Sequence, residues 1–256
     1  MADNRCRILL PRALRARDRF VELLSNSDYG ERFEVLRWPV MAIEPLIESN
    51  EEKRVAGDLL ARSDIVIFVS ATAVEMAESF VPPGQLQSKQ VYAVGSATAD
   101  CLAARGIAAE TSAQANSEGL LRLLASMPLV NKSVVICRGQ GGRETLKAGL
   151  IDQGAEVSYL NLYQRTLTLE YQNQINQAIC DKSLDTIVIH SGEVFQNLLS
   201  LLTVNARTAV SRIPLLAAGE RIADIVKEEG CHVPMVSATA LPEDMVAELV
   251  RWYTRQ

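Results

Sequence analysis

Five short turns carry the residues best suited to holding an anion: Ser70-Ala71-Thr72, Gly95-Ser96-Ala97-Thr98, Gly139-Gln140-Gly141-Gly142, Ser191-Gly192 and Gly219. Each follows an apolar run and opens a helical segment. The first N–H groups of a helix have no partner within it and carry partial positive charge, so such a turn can seat a carboxylate or phosphate. Taken singly, Ser, Thr and Gly here are also ordinary helix caps and tight-turn residues. Five of them along one chain point to a cleft lined with amide donors. Arg138 and Arg143 flank the glycine turn, and Arg12 holds the matching strand-end place earlier in the chain. Their guanidinium forks suit carboxylates and phosphates, and suit a solvated loop end equally well. Tyr163, near the end of a long strand, either presents its phenol to such a cleft or is buried with its hydroxyl bonded.

Other chemistry is excluded by pattern. Glu144 stands where a dinucleotide-binding glycine turn needs its third glycine, and no G-x-x-x-x-G-K-[S/T] loop, HExxH or G-x-S-x-G occurs. With only two histidines, His190 and His232, a His-rich metal site cannot be built, and both read as structural. Asp64 and Asp185 begin strands, on the side away from the expected cleft.

The elements that position these turns alternate. Short β-rich runs (Arg7–Leu10, Phe33–Trp38, Ile65–Val69, Gln90–Val94, Val134–Cys137, Glu156–Tyr163, Thr186–His190, Pro214–Ala217 and His232–Val236) are separated by helical segments of 10–15 residues. Most of the runs are continuously apolar, as strands covered on both faces of a parallel sheet are. The last helix shows one stripe: Met245, Val246, Leu249, Val250, Trp252 and Tyr253. The fold class is α/β with doubly wound parallel sheets.

The chain also resembles itself. Asp64-Ile-Val-Ile-Phe-Val-Ser70 parallels Asp185-Thr-Ile-Val-Ile-His-Ser191, and Gly95-x3-Ala99-Asp100-x5-Gly106 parallels Gly219-x3-Ala223-Asp224-x5-Gly230. Ahead of each lies a second pair: a strand ending at Arg12 then Phe20, Leu24 and Glu34, and one ending at Arg138 then Leu146, Leu150 and Glu156. These are two copies of a five-stranded flavodoxin-like unit. A tandem arrangement divides near Met127–Lys132. A nested one crosses twice, near Pro39–Met41 and Tyr163–Thr168, and the long strand through Arg165 favours it.

Composition sets the class. The 256 residues are 48% apolar and 22% charged, enough for a real core. Lys plus Arg number 26 against 31 Asp plus Glu, a net charge of −5, which argues against coating nucleic acid or an anionic membrane. Five scattered cysteines with no C-x-x-C suit reduced, mostly buried thiols. The polar start and the absence of any run long enough for a membrane span lead to the expectation of a soluble, cytoplasmic protein.

In order and spacing these segments resemble the uroporphyrinogen-III synthase family. The resemblance is carried by Ile8-Leu-Leu-Pro-Arg12, Asp64 to Val74, Val94 to Asp100 with Gly106-Ile107, Arg138-Gly139 with Arg143 and Leu146, Gly154-Ala-Glu-Val157, Leu162-Tyr163-Gln-Arg165 and Asp185 to Ser191. It implies two flavodoxin-like domains joined by a two-stranded linker, residues 39–165 inserted between 1–38 and 166–256. It implies a cofactor-free, metal-free lyase: linear hydroxymethylbilane loses its terminal hydroxyl and closes with the last pyrrole inverted, through a spiro intermediate. Tyr163 is carried over as the acid toward the leaving hydroxyl. The resemblance carries over Ser70, Thr72, Thr98 and Ser191 as substrate contacts, and the turns and arginines above add Arg12, Ala71, Gly95, Ser96, Arg138, Gly139, Arg143, Gly192 and Gly219. The family usually has Thr-Thr-Ala after the last of these, where this chain has Glu220-Arg221-Ile222-Ala223, so no threonine contact is carried over there. A monomer is expected, meeting a small polycarboxylate substrate and, transiently, the preceding pathway enzyme, with no nucleic acid and no membrane. The alternative is a two-domain binding or sensor protein that closes on an anion without chemistry.

Overall fold

The computed structural model describes residues 5–14 and 18–256; the polar start, residues 1–4, lies outside them. The chain opens with β1 (Cys6–Leu9), α1 (Arg19–Ser25), β2 (Phe33–Leu36) and β3 (Met41–Pro45). Then come α2 (Asn50–Arg62), β4 (Ile65–Phe68), α3 (Ala71–Ala77), β5 (Gln90–Ala93), α4 (Ser96–Ala103) and β6 (Glu110–Thr111). Next are α5 (Ser117–Leu124), β7 (Ser133–Gly139), α6 (Thr145–Asp152) and β8 (Glu156–Leu167). The remainder is α7 (Gln172–Cys180), β9 (Thr186–Ile189), α8 (Gly192–Leu201), α9 (Val204–Val210), β10 (Leu215–Ala217), α10 (Glu220–Glu228), β11 (Met235–Val236) and α11 (Pro242–Tyr253). Each expected strand is present. The helices run 7 to 13 residues, several of them shorter than expected.

The chain divides into two compact units, residues 1–42 with 166–256, and residues 43–165. The outer unit holds a sheet ordered β11-β10-β9-β1-β2 and the inserted unit one ordered β3-β8-β7-β4-β5-β6. Matching each strand to its sequence copy gives the same spatial order, 2-1-3-4-5, in both; only the chain order is permuted, and β3 is added at one edge. The ladders β1–β2, β1–β9, β9–β10, β4–β5 and β4–β7 are all parallel.

Alternation explains why both faces of each sheet are apolar. In the outer unit Leu9, Ile187, Ile189, Leu215 and Ala217 enter one core, while Ile8, Leu10, Val188 and Leu216 enter another. In the inserted unit Val66, Phe68, Val135 and Cys137 face one core, and Ile65, Ile67, Val134 and Ile136 the other. Burial contributes about 1.5–3 kcal/mol for each large side chain, so charge at these positions is selected against. Helices cover every face, and the N-terminal ends of α3 and α8 lie at the carboxyl ends of β4 and β9.

The acids that begin the duplicated strands clamp the opposite end. The Asp64 carboxylate accepts from the Ser133 N–H at 2.9 Å, and that of Asp185 from the Arg7 N–H at 2.7 Å. Each thus ties the start of one strand to its neighbour, away from the functional end, as expected. All five cysteines are free: Cys6, Cys137 and Cys231 are buried, Cys101 is half-buried and Cys180 exposed. Burial pushes the Cys6 thiol up to about 12, with Asp185 adding to the rise. Among the described residues no helix is long and apolar enough to cross a membrane.

Candidate active site

The inserted unit places Tyr163 by an irregularity. Along β8 the partners of β7 run in register from Ser133–Glu156 to Arg138–Asn161, and then Gly139 pairs with Tyr163, leaving Leu162 as an extra residue. A regular strand would send Leu162 and Tyr163 to opposite faces. With the bulge both enter the same core, and Tyr163 is only 2% exposed. Gly139 makes room for the ring: a Cβ there would lie 2.7 Å from ring carbons Cε2 and Cζ. The Gln140 N–H donates to the Tyr163 carbonyl at 2.7 Å and fixes the backbone.

The Tyr163 hydroxyl shares a hydrogen bond of 3.1 Å with Ser70 Oγ. Ser70 also caps α3, its Oγ accepting from the Ala73 N–H at 3.1 Å, so the phenol is anchored through a helix cap. Arg165 Nη2 makes a long contact of 3.5 Å to the same phenol oxygen, and its guanidinium carbon lies 5.6 Å from the ring centre.

Beside this group the glycine turn wraps Arg138. Gly141 and Gly142 take φ of 79° and 97°, which L side chains rarely adopt, and a Cβ on Gly142 would lie 2.7 Å from Arg138 Nη2. The Arg138 side chain is 8% exposed. Its Nε donates to the Gly139 carbonyl at 3.1 Å and its Nη1 to Glu144 Oε1 at 3.3 Å. The guanidinium carbon sits 4.5 Å from the ring centre of Tyr159, whose hydroxyl donates to the other oxygen of Glu144 at 2.7 Å. Lys147 Nζ lies 4.6 Å from that ring centre. Burial, then the hydrogen bond to Glu144 and its charge, push the Tyr159 phenol up to about 12 against the pull of Arg138.

Of these groups Ser70, Arg138, Tyr159, Tyr163 and Arg165 border a cavity of about 260 Å³ at the carboxyl ends of β4 and β7, beside β8. Of the residues expected at a site it brings together Ser70, Arg138, Gly139, Arg143 and Tyr163. Ser117, Tyr159 and Arg165 join them. Among the described residues its lining holds three arginines and no acid, so a chain of negative total charge has a cationic pocket.

The remaining expected residues lie elsewhere. Ala71 and Thr72 form the first turn of α3, with Thr72 buried; Gly95, Ser96 and Thr98 open α4, with Thr98 buried, and only the adjacent Val94 reaches the cavity. Arg12, Ser191, Gly192 and Gly219 belong to the outer unit, beyond the carboxyl ends of β1, β9 and β10. Arg12 is paired to Asp18 through Nη2 and, at 3.2 Å, through Nε. Ser191 Oγ caps α8 by accepting from the Val194 N–H at 3.2 Å. Gly219 takes φ of 89° ahead of α10. The His190 ring packs edge-on against Phe20, centres 5.8 Å apart.

A family model described as uroporphyrinogen-III synthase HemD matches residues 18–247. The chain belongs to the uroporphyrinogen-III synthase family. It is 36% identical to the uroporphyrinogen-III synthase of Salmonella typhimurium over 117 residues, 44% of this chain and about half (47%) of that enzyme's length. To the synthase of Escherichia coli it is 27% identical over 180 residues, 67% of this chain and 72% of that one. Among solved structures, a mutant synthase from Thermus thermophilus aligns with TM-score 0.63 at 20% identity, covering 98% of this chain and 100% of that one. The Helicobacter pylori enzyme aligns with TM-score 0.58 at 17% identity, covering 97% and 99%. Both share the two-domain α/β fold. In this chain two strands join the units.

Those two strands are β3 and β8, which hydrogen-bond to each other and carry the chain between the units. The Leu46 N–H donates to the Leu162 carbonyl at 2.9 Å, and the Thr168 N–H to the Val40 carbonyl at 3.2 Å, an antiparallel run. In this chain the bulge and Tyr163 therefore lie on β8, which joins the units, and the glycine turn follows its neighbour β7.

Proposed function

We infer that this chain is a cyclising lyase that converts linear hydroxymethylbilane into uroporphyrinogen III and water in tetrapyrrole biosynthesis. The observation that carries this is the family match over residues 18–247. The substrate bears an acetate and a propionate on each of four pyrroles, and a pocket with Arg138, Arg143 and Arg165 and no lining acid supplies complementary charge.

The chemistry asks little of the protein. A pyrrole nitrogen lone pair expels the terminal hydroxyl, which leaves as water once it gains a proton. The resulting azafulvenium cation is attacked by the substituted position of the last ring, and the spiro product reopens and closes with that ring inverted, the free α-carbon of that ring losing its proton and so balancing the one given to the hydroxyl. Tyr163 donates the proton or hydrogen bond to the leaving hydroxyl, and Ser70 holds the phenol in place. Negative charge gathering on the phenol oxygen is offset by Arg165. Holding the bilane so that the inverted attack precedes direct closure is orientation control, and it supplies most of the selectivity.

In this account Arg12, Ser191, Gly192 and Gly219 give the outer unit's share of substrate contacts, and Ala71, Thr72, Gly95 and Ser96 offer backbone N–H groups, with Thr98, its own N–H bonded to the Gly95 carbonyl at 3.0 Å, closing that turn. The units 1–42 with 166–256, and 43–165, are the two domains. The protein works as a cytoplasmic monomer without cofactor, receiving its unstable substrate from the preceding enzyme. The Tyr163→Phe variant tests the acid: turnover falls while product affinity holds. Unchanged turnover removes Tyr163 from the chemistry.

A further inference from the structure

We propose that Glu144 is an internal placeholder for a substrate carboxylate: its side chain occupies a two-donor seat, formed by Arg138 and Tyr159, from which an acetate or propionate of the tetrapyrrole displaces it. This rests on the activity proposed above and adds a binding subsite to it.

The seat is defined by the carboxylate already in it. One Glu144 oxygen accepts from Arg138 Nη1 at 3.3 Å and the other from the Tyr159 hydroxyl at 2.7 Å. The Arg138 donor is fixed. The guanidinium is clamped between the Gly139 carbonyl, the Gly142 backbone and the Tyr159 ring. The occupant is not: the Glu144 side chain is 66% exposed, against 8% for Arg138, and follows two glycines at positive φ. Glu144 stands at the N-cap of α6 yet makes no capping hydrogen bond there, so leaving forfeits no helix contact.

The duplicated copy shows what a committed partner looks like. Arg12 likewise reaches the acid six positions on, but Asp18 accepts from both Nε and Nη2, is buried, and caps α1 through the Val21 N–H at 3.3 Å. The same arginine–acid spacing thus yields a fixed pair in one unit and a loosely held one in the other, and both donors of the loose pair's seat, Arg138 and Tyr159, line the cavity. Swapping one carboxylate for another leaves the buried Arg138 charge paired throughout, which keeps the exchange inexpensive.

The experiment compares wild type, Glu144→Gln, Tyr159→Phe, the double variant and a charge control, Glu118→Gln, on the exposed first turn of α5. Binding of uroporphyrin III, a stable tetrapyrrole octacarboxylate, is read by fluorescence, alongside kcat and KM with hydroxymethylbilane. Emptying the seat tightens binding and lowers KM about threefold to tenfold, with kcat little changed. The gain persists at high salt, exceeds that of Glu118→Gln, and shrinks in the Tyr159→Phe background because the two residues are coupled. Equal or weaker binding by Glu144→Gln, or a gain matched by Glu118→Gln, overturns the seat. A wild-type chain that binds uroporphyrin III but forms only type I product overturns the activity alone, leaving the seat to be judged on binding.

Discussion

Each unit has an arginine just beyond or at the end of a central strand, Arg12 after β1 and Arg138 in β7, that pairs with an acid six residues later, and the two pairs differ in how the acid is held. Arg12–Asp18 is buried, doubly bonded and serves a helix cap, whereas Arg138–Glu144 is a single longer bond to an exposed carboxylate. The outer copy binds its acid through both Nε and Nη2 of the arginine. The inserted copy keeps its arginine beside a cavity with Arg143, Arg165 and Tyr163. Two copies of one fold therefore hold the same arginine–acid pair differently, and fold alone does not say which copy carries the chemistry.

The sharpest break of this contrast is Asp18→Asn. Burial alone would raise the Asp18 carboxyl, but the Arg12 charge and hydrogen bonds, with the Val21 N–H, hold it below the ordinary 3.8. Its folded value being depressed, the stabilisation is present above pH 3.8 and lost as pH falls through the lower folded value. Asp18→Asn should cost about 3 kcal/mol in urea unfolding at neutral pH, and the deficit should shrink on acidification. Glu144→Gln should cost under about 1 kcal/mol by the same measure. Equal costs would erase the distinction between the pairs.

Next in size, Tyr163→Phe should slow turnover about a hundredfold with product affinity within about twofold, measured by stopped assay and fluorescence titration. Gly139→Ala puts a methyl against the Tyr163 ring and should cost about 1–3 kcal/mol while lowering kcat. A smaller effect belongs to Tyr159. In Glu144→Gln its phenol should ionise below the wild-type value of about 12, nearer the ordinary 10.0, as followed by ultraviolet absorbance. The smallest should come from Asp64→Asn and Asp185→Asn, slight and similar falls in thermal midpoint, since both acids clamp strand starts far from the cavity.

Much of this organisation was legible in the sequence. Apolar runs such as Ile65–Phe68 and Thr186–Ile189 announce buried strands, and the repeated Asp-strand-Ser blocks expose the duplication. Missed were β3 and β6: the first mixes Glu and Pro into an edge strand, and the second is two exposed residues, so neither has periodicity to read. Of the site, Ser70, Arg138, Gly139, Arg143 and Tyr163 were found from turn chemistry and resemblance. Tyr159, Glu144 and Arg165 were not, because their roles come from tertiary neighbours. The bulge that re-aims Tyr163 left a faint trace: consecutive Leu162 and Tyr163, both apolar, where alternation calls for a change of face. The exposure of Glu144 against the burial of Asp18 leaves no sequence signal at all.

The central claim is that this chain steers ring closure. Freshly prepared hydroxymethylbilane, incubated with increasing amounts of the protein and analysed after oxidation, gives the ratio of type III to type I uroporphyrin. The account predicts that type III rises with protein concentration until it is nearly the sole isomer. Type I dominating at every concentration would contradict it.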